Sequence, residues 1–403
     1  MKVLISDNLP DICKTILESA DIQVVTKTDF TPEELQKEIG VYNGLIIRSS
    51  TQCTPEILES ADKLQAICRA GVGVDNVNVP AATKKGVIVM NTPGGNTTST
   101  AEHAITLLLA LSRNIAQACN SVREGKWERK KFTGTQVSGK VLGVIGLGKI
   151  GKEVAKRAIA LEMKVLGYDP FISNETIPQL NVQLVENLDE IYRQADYITL
   201  HIPLVNDTKH MISKGELEIM KDGVRIINCA RGGIISEDSL YDALVSGKVA
   251  GAAIDVFEKE PPENNKLLEL DNVLPTPHLG ALTKEAQLAV AEDAAKQMVD
   301  VLKNNIIRNA VNMPVQGSED KPYITLTEKM GALLSQLVSG RIRSIDIQYS
   351  GGVSKDNVRP LTDCLLVGLL KDVFDENVNI VNVRVLVDER GIKINEIISS
   401  ATG

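Results

Sequence analysis

The sequence of 403 residues holds no apolar run near the roughly 20 residues that span a bilayer; the longest, AITLLLAL at 104–111, has eight. Such a length suits a buried helix segment and excludes a membrane span. The opening MKVLISDNLP puts one lysine before an apolar stretch too short for a secretory signal, so no export signal is expected. Basic excess is missing as well. A formal charge of -8 argues against a general affinity for nucleic acid or for anionic membranes, because phosphate backbones demand clustered Lys and Arg. The six cysteines, Cys13, Cys53, Cys68, Cys119, Cys229 and Cys364, contain no CxxC pair. Reduced thiols in a cytoplasm are the expected state, with no metal site among them.

What remains is a globular composition, 43% hydrophobic and 24% charged, on a chain long enough for two or three domains. Short apolar runs alternate with helical ones from the start: KVLIS, then 11–19; IQVVT, then 31–39; GLIIRS, then 55–61; LQAICRAG, then 79–85; and VIVMNT. TPEE at 31–34 has the pattern of a capped helix start, with proline at the first turn. Strands of four to six residues separated by helices predict a parallel, doubly wound sheet. The segment 96–114 keeps helical spacing over a longer stretch and reads as a connecting helix.

A second alternating run follows: KVLGVIG, a helix at 149–161, KVLGYD, a helix at 189–194, DYITLHIP, a helix at 214–220, VRIINCA, a helix at 237–246, VAGAAIDVF and NVLPTPH. Six or seven strands with their helices suffice for a complete dinucleotide-binding sheet. A long helix is expected at 284–302 and a linker at 317–322. Beyond it, a helix at 325–338, a strand in IRSIDIQYSGG, another helix and a strand in VNVRVLV predict a small α+β module.

VIGLGKIG places Gly146, Gly148 and Gly151 in a GxGxxG spacing between a predicted strand and a predicted helix. The first glycine permits the tight turn, the second admits a pyrophosphate against the backbone, and the third lets helix and strand pack closely. Asp169 ends the next strand 18 residues after Gly151, near the roughly 20 expected of an acid that bonds the adenosine ribose. Its carboxylate would repel a 2′-phosphate, and the following PFIS supplies no cation to hold one, so NAD is expected in preference to NADP.

A bound nicotinamide calls for a base and a cation, and in a doubly wound sheet these belong just past the carboxyl ends of strands. Arg231 after VRIINCA, Glu260 after VAGAAIDVF and His278 after NVLPTP stand there. Of the other histidines, His103 lies within the connecting helix, His210 in a polar turn, and His201 at a strand end as a rival base. An imidazole accepts a hydroxyl proton near neutral pH, a carboxylate on its second nitrogen fixes the tautomer, and an arginine offers a planar fork to a substrate carboxylate. Plainer readings stay open. Glu260 precedes two prolines and could be a solvated turn acid, and Arg231 could cap a loop.

GLGKIG, NCARGG, AAIDVFEKEPP and TPHLGA, with RAGVGVDNV, NTPGGN and GKWERKKFTG, occur here in the order found in the D-isomer-specific 2-hydroxyacid dehydrogenases, which 1–314 resembles. The resemblance implies two doubly wound Rossmann-like α/β domains with the cofactor domain inserted into the substrate domain. It places substrate binding in 1–96 and 284–316, NAD binding in 97–283, and an accessory α+β module in 318–403. It makes Arg231 the substrate-orienting cation, Glu260 the partner acid and His278 the proton acceptor, and moves His201 to the cofactor side. Val72, Lys149, Ile150, Asp169, Ile202, Cys229, Ala230, Asp255, Gly280 and Ala281 match family cofactor positions.

Arg48 and Arg69 end predicted strands, and Arg129, with Lys131, lies in WERKK, which would otherwise read as a solvated charge run. In the resemblance the first three meet substrate, in some members from a neighbouring subunit. These cations favour a phosphorylated hydroxy acid, 3-phosphoglycerate oxidised to 3-phosphohydroxypyruvate at the opening of serine biosynthesis, over glyoxylate, hydroxypyruvate or lactate. A non-enzymatic NAD(H)-sensing corepressor shares the fold and the trio and is the alternative from another class. Self-association as a dimer or tetramer is implied. The chain ends at NEIISSATG, short of the serine-sensing ACT domain of long members, so the accessory module is expected to be incomplete and feedback by serine is not expected.

Overall fold

The computed structural model describes residues 1–173, 181–313, 321–338, 340, 342–350, 355–371, 373–374 and 377–399. It consists of two compact units, Met1–Pro93 with Leu288–Gly403, and Gly94–Gln287.

In the first unit β1 (Lys2–Ile5), β2 (Gln23–Thr26), β3 (Gly44–Ile47), β4 (Ala66–Arg69) and β5 (Ile88–Asn91) run parallel in the order β2-β1-β3-β4-β5. Successive side chains of a strand face opposite sides, so a sheet covered on both faces needs apolar residues at every position. β3 is buried throughout. Val3, Ile5, Ile46, Cys68 and Met90 face one layer, covered by Val290, Ala291, Ala294, Ala295 and Met298 of the helix Lys284–Val299. Leu4, Leu45, Ile47, Ile67 and Val89 face the other, against Leu35, Ile39, Ile57 and Leu58. TPEE forms its capping box: Thr31 Oγ1 accepts the Glu34 amide at 3.2 Å, and Glu34 Oε2 accepts the Thr31 amide at 3.0 Å. The helix expected to reach 302 gives way at Asp300 to a single π turn, Asp300–Asn304.

The same unit carries the C-terminal module: the helix Lys321–Leu337, β13 (Ser344–Ser350), the helices Lys355–Leu370 and Val383–Glu389, and β14 (Lys393–Ser399), which pairs parallel with β13. Most of the expected linker lies outside the described residues, and Lys321 and Pro322 already belong to the first of these helices. The two longest helices touch backbone to backbone. A Cβ on Gly331 would stand 2.0 Å from the Leu365 carbonyl oxygen, and one on Gly368 would stand 1.9 Å from that of Glu328. VNVRVLV corrects the strand expectation. Its β-branched run suits a strand, but Val383, Leu386 and Val387 recur at helical spacing and bury together against Leu366, Leu369 and Leu370, so tertiary packing overrides propensity.

The second unit holds β6 (Val141–Ile145), β7 (Lys164–Tyr168), β8 (Gln183–Leu184), β9 (Tyr197–Leu200), β10 (Val224–Asn228), β11 (Val249–Ile254) and β12 (Val273–Pro275). All pairs are parallel, in the order β12-β11-β10-β9-β6-β7-β8. The winding reverses at β6, whose neighbours are β7 and β9, and ligands bind outside the carboxyl ends of strands at such a point. The connecting helix, Thr97–Ser112, lays Ala101, Ala104, Leu107, Leu108 and Leu111 against Leu142, Val144, Ala155 and Ala158. The opposite layer gathers Ile191, Leu217, Leu240, Leu244 and Phe257 around β9, β10 and β11. Among the described residues no helix is long and apolar enough to cross a membrane.

Candidate active site

At the end of β6 each fingerprint glycine has a different spatial reason. Gly146 sits at φ 93°, and a Cβ there would meet the His201 carbonyl oxygen at 2.5 Å and Ile202 Cγ2 at 2.7 Å. At Gly151 a Cβ would stand 1.9 Å from the Gly146 carbonyl oxygen, so the helix lies directly on the turn. Gly148 has nothing within 4 Å of that position and caps the helix Lys149–Ala160. The backbone there is open to a ligand, beside the N–H groups of a helix start that favour anions. Lys149 and Ile150 open that helix, and Ile150 packs on the unit's core. Asp169, just after β7, accepts the Leu147 amide at 2.9 Å and the Phe171 amide at 3.0 Å, which fixes its carboxylate against the turn. An open cradle, a helix start and an adjoining acid fit a dinucleotide.

The loops after β10, β11 and β12 form a chain of contacts. Asn228 shapes the first, its Nδ2 donating to the Arg231 carbonyl at 2.9 Å while its Oδ1 accepts the Ala230 amide at 3.0 Å. Arg231 Nη1 donates to the Ala230 carbonyl at 2.6 Å. This loop abuts the next, since a Cβ on Gly232 would stand 1.8 Å from the Phe257 carbonyl oxygen. The Phe257 amide donates to Glu260 Oε1 at 3.1 Å, and Glu260 Oε2 lies 2.8 Å from His278 Nδ1. Arg231, Glu260 and His278 thus stand on three contiguous loops. Burial raises the Glu260 carboxyl, but the bond and charge of His278 and the Phe257 amide outweigh it and hold the group below its ordinary value. An ionised Glu260 only accepts, so His278 Nδ1 carries the proton and Nε2 is left as the acceptor.

Asp255, fully buried, anchors the His278 loop from beneath. Its Oδ1 accepts the Thr276 hydroxyl at 2.6 Å and the Leu279 amide at 2.7 Å, and its Oδ2 accepts the Gly280 amide at 2.9 Å. His103 Nε2 lies 3.1 Å from the same Oδ1. Burial raises the Asp255 carboxyl, and the bonds from His103, Thr276 and Leu279 overcome this and lower it. His103, Cys229 and Asp255 bring ligand-type atoms within 4.8 Å of one another. Thr276, Leu279 and His103 gather on Oδ1 and the Gly280 amide on Oδ2, so hydrogen bonds within the chain tie this cluster together. Burial, followed by the Asp255 charge, pushes the Cys229 thiol well up, so Cys229 packs and does not attack.

His201 follows β9 and bonds Thr199 Oγ1 at 3.0 Å. Burial pulls its imidazole down to about 4, which makes it a weak base at neutral pH. Ala281 follows Gly280 on the His278 turn, and its carbonyl accepts Gln287 Nε2 at 3.4 Å.

Three further candidates lie in the first unit. Arg69 Nε donates to the Arg48 carbonyl at 3.2 Å, joining the ends of β3 and β4. Asn76 Nδ2 reaches the carbonyls of Arg48 at 2.9 Å and Thr51 at 2.6 Å, and buried Asp7 accepts the Arg48 amide, so the 48–51 loop is gripped at both ends. Burial lowers Arg48 and Asp7 partly offsets it. Val72, whose carbonyl accepts Asn91 Nδ2 at 2.5 Å, is the one cofactor candidate outside the second unit. Arg129 belongs to the second unit, on an exposed turn with Lys131.

Asn228 lies in NCARGG and Asn76 in RAGVGVDNV without being singled out there, and the partnership of His103 with Asp255 forms no motif. The only signal is the spacing of Ser99, Thr100 and His103, three polar residues on one face of a helix.

The D-isomer specific 2-hydroxyacid dehydrogenase NAD binding domain matches residues 105–280, and the D-3-phosphoglycerate dehydrogenase intervening domain matches 320–403. The D-3-phosphoglycerate dehydrogenase of Archaeoglobus fulgidus is 47% identical over 401 residues, 98% of this chain and 76% of its own length. The protein of the same name from Homo sapiens is 44% identical over 398 residues, 98% of this chain and 74% of its own. A solved glyoxylate reductase from Paecilomyes thermophila matches with a TM-score of 0.71 at 29% identity, over 77% of this chain and 98% of its own. The apo-structure of D-lactate dehydrogenase from Escherichia coli matches at 0.67 and 26%, over 77% and 100%.

Proposed function

Since the chain belongs to the D-3-phosphoglycerate dehydrogenases of the D-isomer-specific 2-hydroxyacid dehydrogenase family, we propose that it oxidises 3-phosphoglycerate to 3-phosphohydroxypyruvate with NAD, opening serine biosynthesis. The observation that carries the chemistry is the 2.8 Å bond between Glu260 and His278 on the loop chain that begins at Arg231. Bound NAD would supply the acceptor for the hydride of the carbinol carbon. His278 Nε2 accepts the proton of the 2-hydroxyl, and Glu260 stabilises the imidazolium that results. Arg231 presents its planar fork to the substrate carboxylate and polarises the oxygen that becomes a carbonyl. Proton, hydride and substrate electrons then balance an alcohol against a ketone.

The cofactor positions are Gly146, Gly148, Lys149, Ile150, Gly151, Asp169, Ile202, Cys229, Ala230, Asp255, Gly280 and Ala281, with Val72 as the family match beyond them. Asp169 selects NAD over NADP, supported by its place beside the turn and by the lack of a cation in PFIS. Arg48, Arg69 and Arg129 bind the anionic groups of the substrate. A guanidinium suits the phosphate because it keeps its charge and donates in a fork. The discontinuous first unit is the substrate-binding domain and the C-terminal module an accessory one. Assembly as a dimer or tetramer in the cytoplasm completes the reading, to be checked by sedimentation.

The test is spectrophotometric NAD reduction with 3-phosphoglycerate, set beside glyoxylate, hydroxypyruvate and D-lactate in the appropriate direction. Preference for 3-phosphoglycerate supports the reading, and preference for glyoxylate overturns the substrate. Tight NADH binding without turnover of any hydroxy acid overturns the enzyme.

A further inference from the structure

The turn that carries His278 is an unfavourable piece of backbone. His278 sits at φ 54°, in the left-handed region where its Cβ crowds the following carbonyl. Its amide donates to the Asp255 carbonyl at 2.9 Å, while the Asp255 carboxylate takes the next two amides, Leu279 at 2.7 Å and Gly280 at 2.9 Å. Asp255 therefore fixes three consecutive N–H groups. What fixes Asp255 is the helix Thr97–Ser112. Ser99 and Thr100, neighbours in sequence, each lie one turn before His103 on the same face. Ser99 Oγ donates to the Gly280 carbonyl at 2.8 Å, Thr100 Oγ1 donates to the same oxygen at 3.2 Å, and His103 Nε2 meets Asp255 Oδ1 at 3.1 Å.

We propose that His103 is a positioning residue, whose Nε2–H holds Asp255 and so completes a clamp, formed by one helix face, on the turn that carries His278. Asp255 is an acceptor on both oxygens, so the donor in that contact is His103 and its tautomer is set. A second acceptor, Thr276 Oγ1, lies 3.4 Å from the same nitrogen and itself donates to Asp255. Without His103 the carboxylate keeps its two amides and the Thr276 hydroxyl but loses its tie to the helix. Gly280 and Ala281 ride on the turn with His278, so slackness there reaches cofactor binding as well as proton transfer. This inference rests on the proposed dehydrogenase chemistry for its effect on turnover alone; its effect on NADH affinity stands apart.

Replacement by glutamine keeps a nitrogen donor near the place of Nε2, whereas leucine keeps the bulk without the donor. His103→Leu is expected to weaken NADH binding about fivefold and to lower kcat for 3-phosphoglycerate about tenfold, as loss of a bond to a charged group implies. His103→Gln should stay within about twofold of the parent in both. Calorimetric NADH titration, steady-state kinetics and melting curves on the full chain give the three readouts. If leucine and glutamine variants behave alike, whether both intact or both impaired, the clamp is wrong, because packing and not the donor then sets the effect. Should His103→Leu fail to fold, His103→Asn, whose shorter amide falls away from Asp255, takes its place with the same expected loss beside glutamine. A parent that binds NADH but leaves 3-phosphoglycerate unoxidised overturns the proposed activity, while the contrast in NADH affinity still decides the clamp.

Discussion

With Nδ1 committed to Glu260, the His278 ring has one nitrogen left, the one proposed to take the substrate proton. Oxidation needs the ring neutral; reduction needs it protonated. Glu260 is ionised at neutral pH because its carboxyl lies below its ordinary value, so Glu260→Gln removes a charge that favours the imidazolium. The acid limb of the kcat/KM profile for oxidation should move to lower pH, and reduction should lose rate near neutrality. Profiles in both directions check this, and an unmoved acid limb would mean that the pair does not carry the proton. Asp169 is proposed to act on the adenosine side. Asp169→Ala should raise KM for NAD about tenfold and leave KM for 3-phosphoglycerate within about twofold, since the bonds it loses, to the proposed cofactor and to the Leu147 and Phe171 amides, all lie at the turn after β6 and its neighbour. Equal rises would assign Asp169 to the fold through its bond to Leu147. The members of the trio are readable from the sequence because each follows a strand inside a short motif. The role of His103 is not, because its partner Asp255 is distant in sequence and is met only after folding.

At the scale of elements, the strand-turn-helix of β6 separates folding from binding within six residues. A methyl at Gly151 has a carbonyl oxygen 1.9 Å away, whereas one at Gly148 has open space. Gly151→Ala should therefore lower the melting temperature by several degrees, in the range of about 1–3 kcal/mol for an overpacked site. Gly148→Ala should leave melting nearly unchanged and weaken NADH binding at least about tenfold, because its methyl occupies the space of the pyrophosphate. Calorimetry and NADH titration on both variants test the contrast, and a Gly148→Ala protein that binds NADH normally would remove the pyrophosphate from this turn. Elements with a clear period are the legible ones, such as the fully apolar β3 and the capped helix at Thr31. β8 escapes notice because it has two residues, Gln183 and Leu184, too few for any period. Val383–Glu389 misleads because β-branched residues suit a strand locally while their burial follows a helix.

Across the whole molecule the C-terminal module touches the rest of its unit through a modest set of polar contacts, including Lys84 to Glu389 at 2.7 Å and Asn379 Nδ2 to the Gly86 carbonyl at 2.9 Å. The first of these is an exposed ion pair, worth at most about 1 kcal/mol. None of the residues assigned to chemistry lies beyond residue 313. A chain ending at residue 316 should keep more than about half of its kcat, the loss of one marginal contact set being small beside two complete cores. Steady-state assay with circular dichroism checks it, and a folded but inactive short chain would show that the module helps build the active site.

The first sheet also has a history in time. Its five strands are complete by Asn91, but Ala291, Ala294 and Met298, which cover Val3, Ile46 and Met90, arrive only after the whole of the second unit has been made. At the usual pace of synthesis, about 5–20 residues per second, nearly two hundred intervening residues take on the order of ten to forty seconds. During that interval the same face of the nascent sheet has only Cys13, Leu17 and their neighbours over it, while by its end every residue of the inserted unit has been made. The later-finished half of the protein is therefore the one whose synthesis began first.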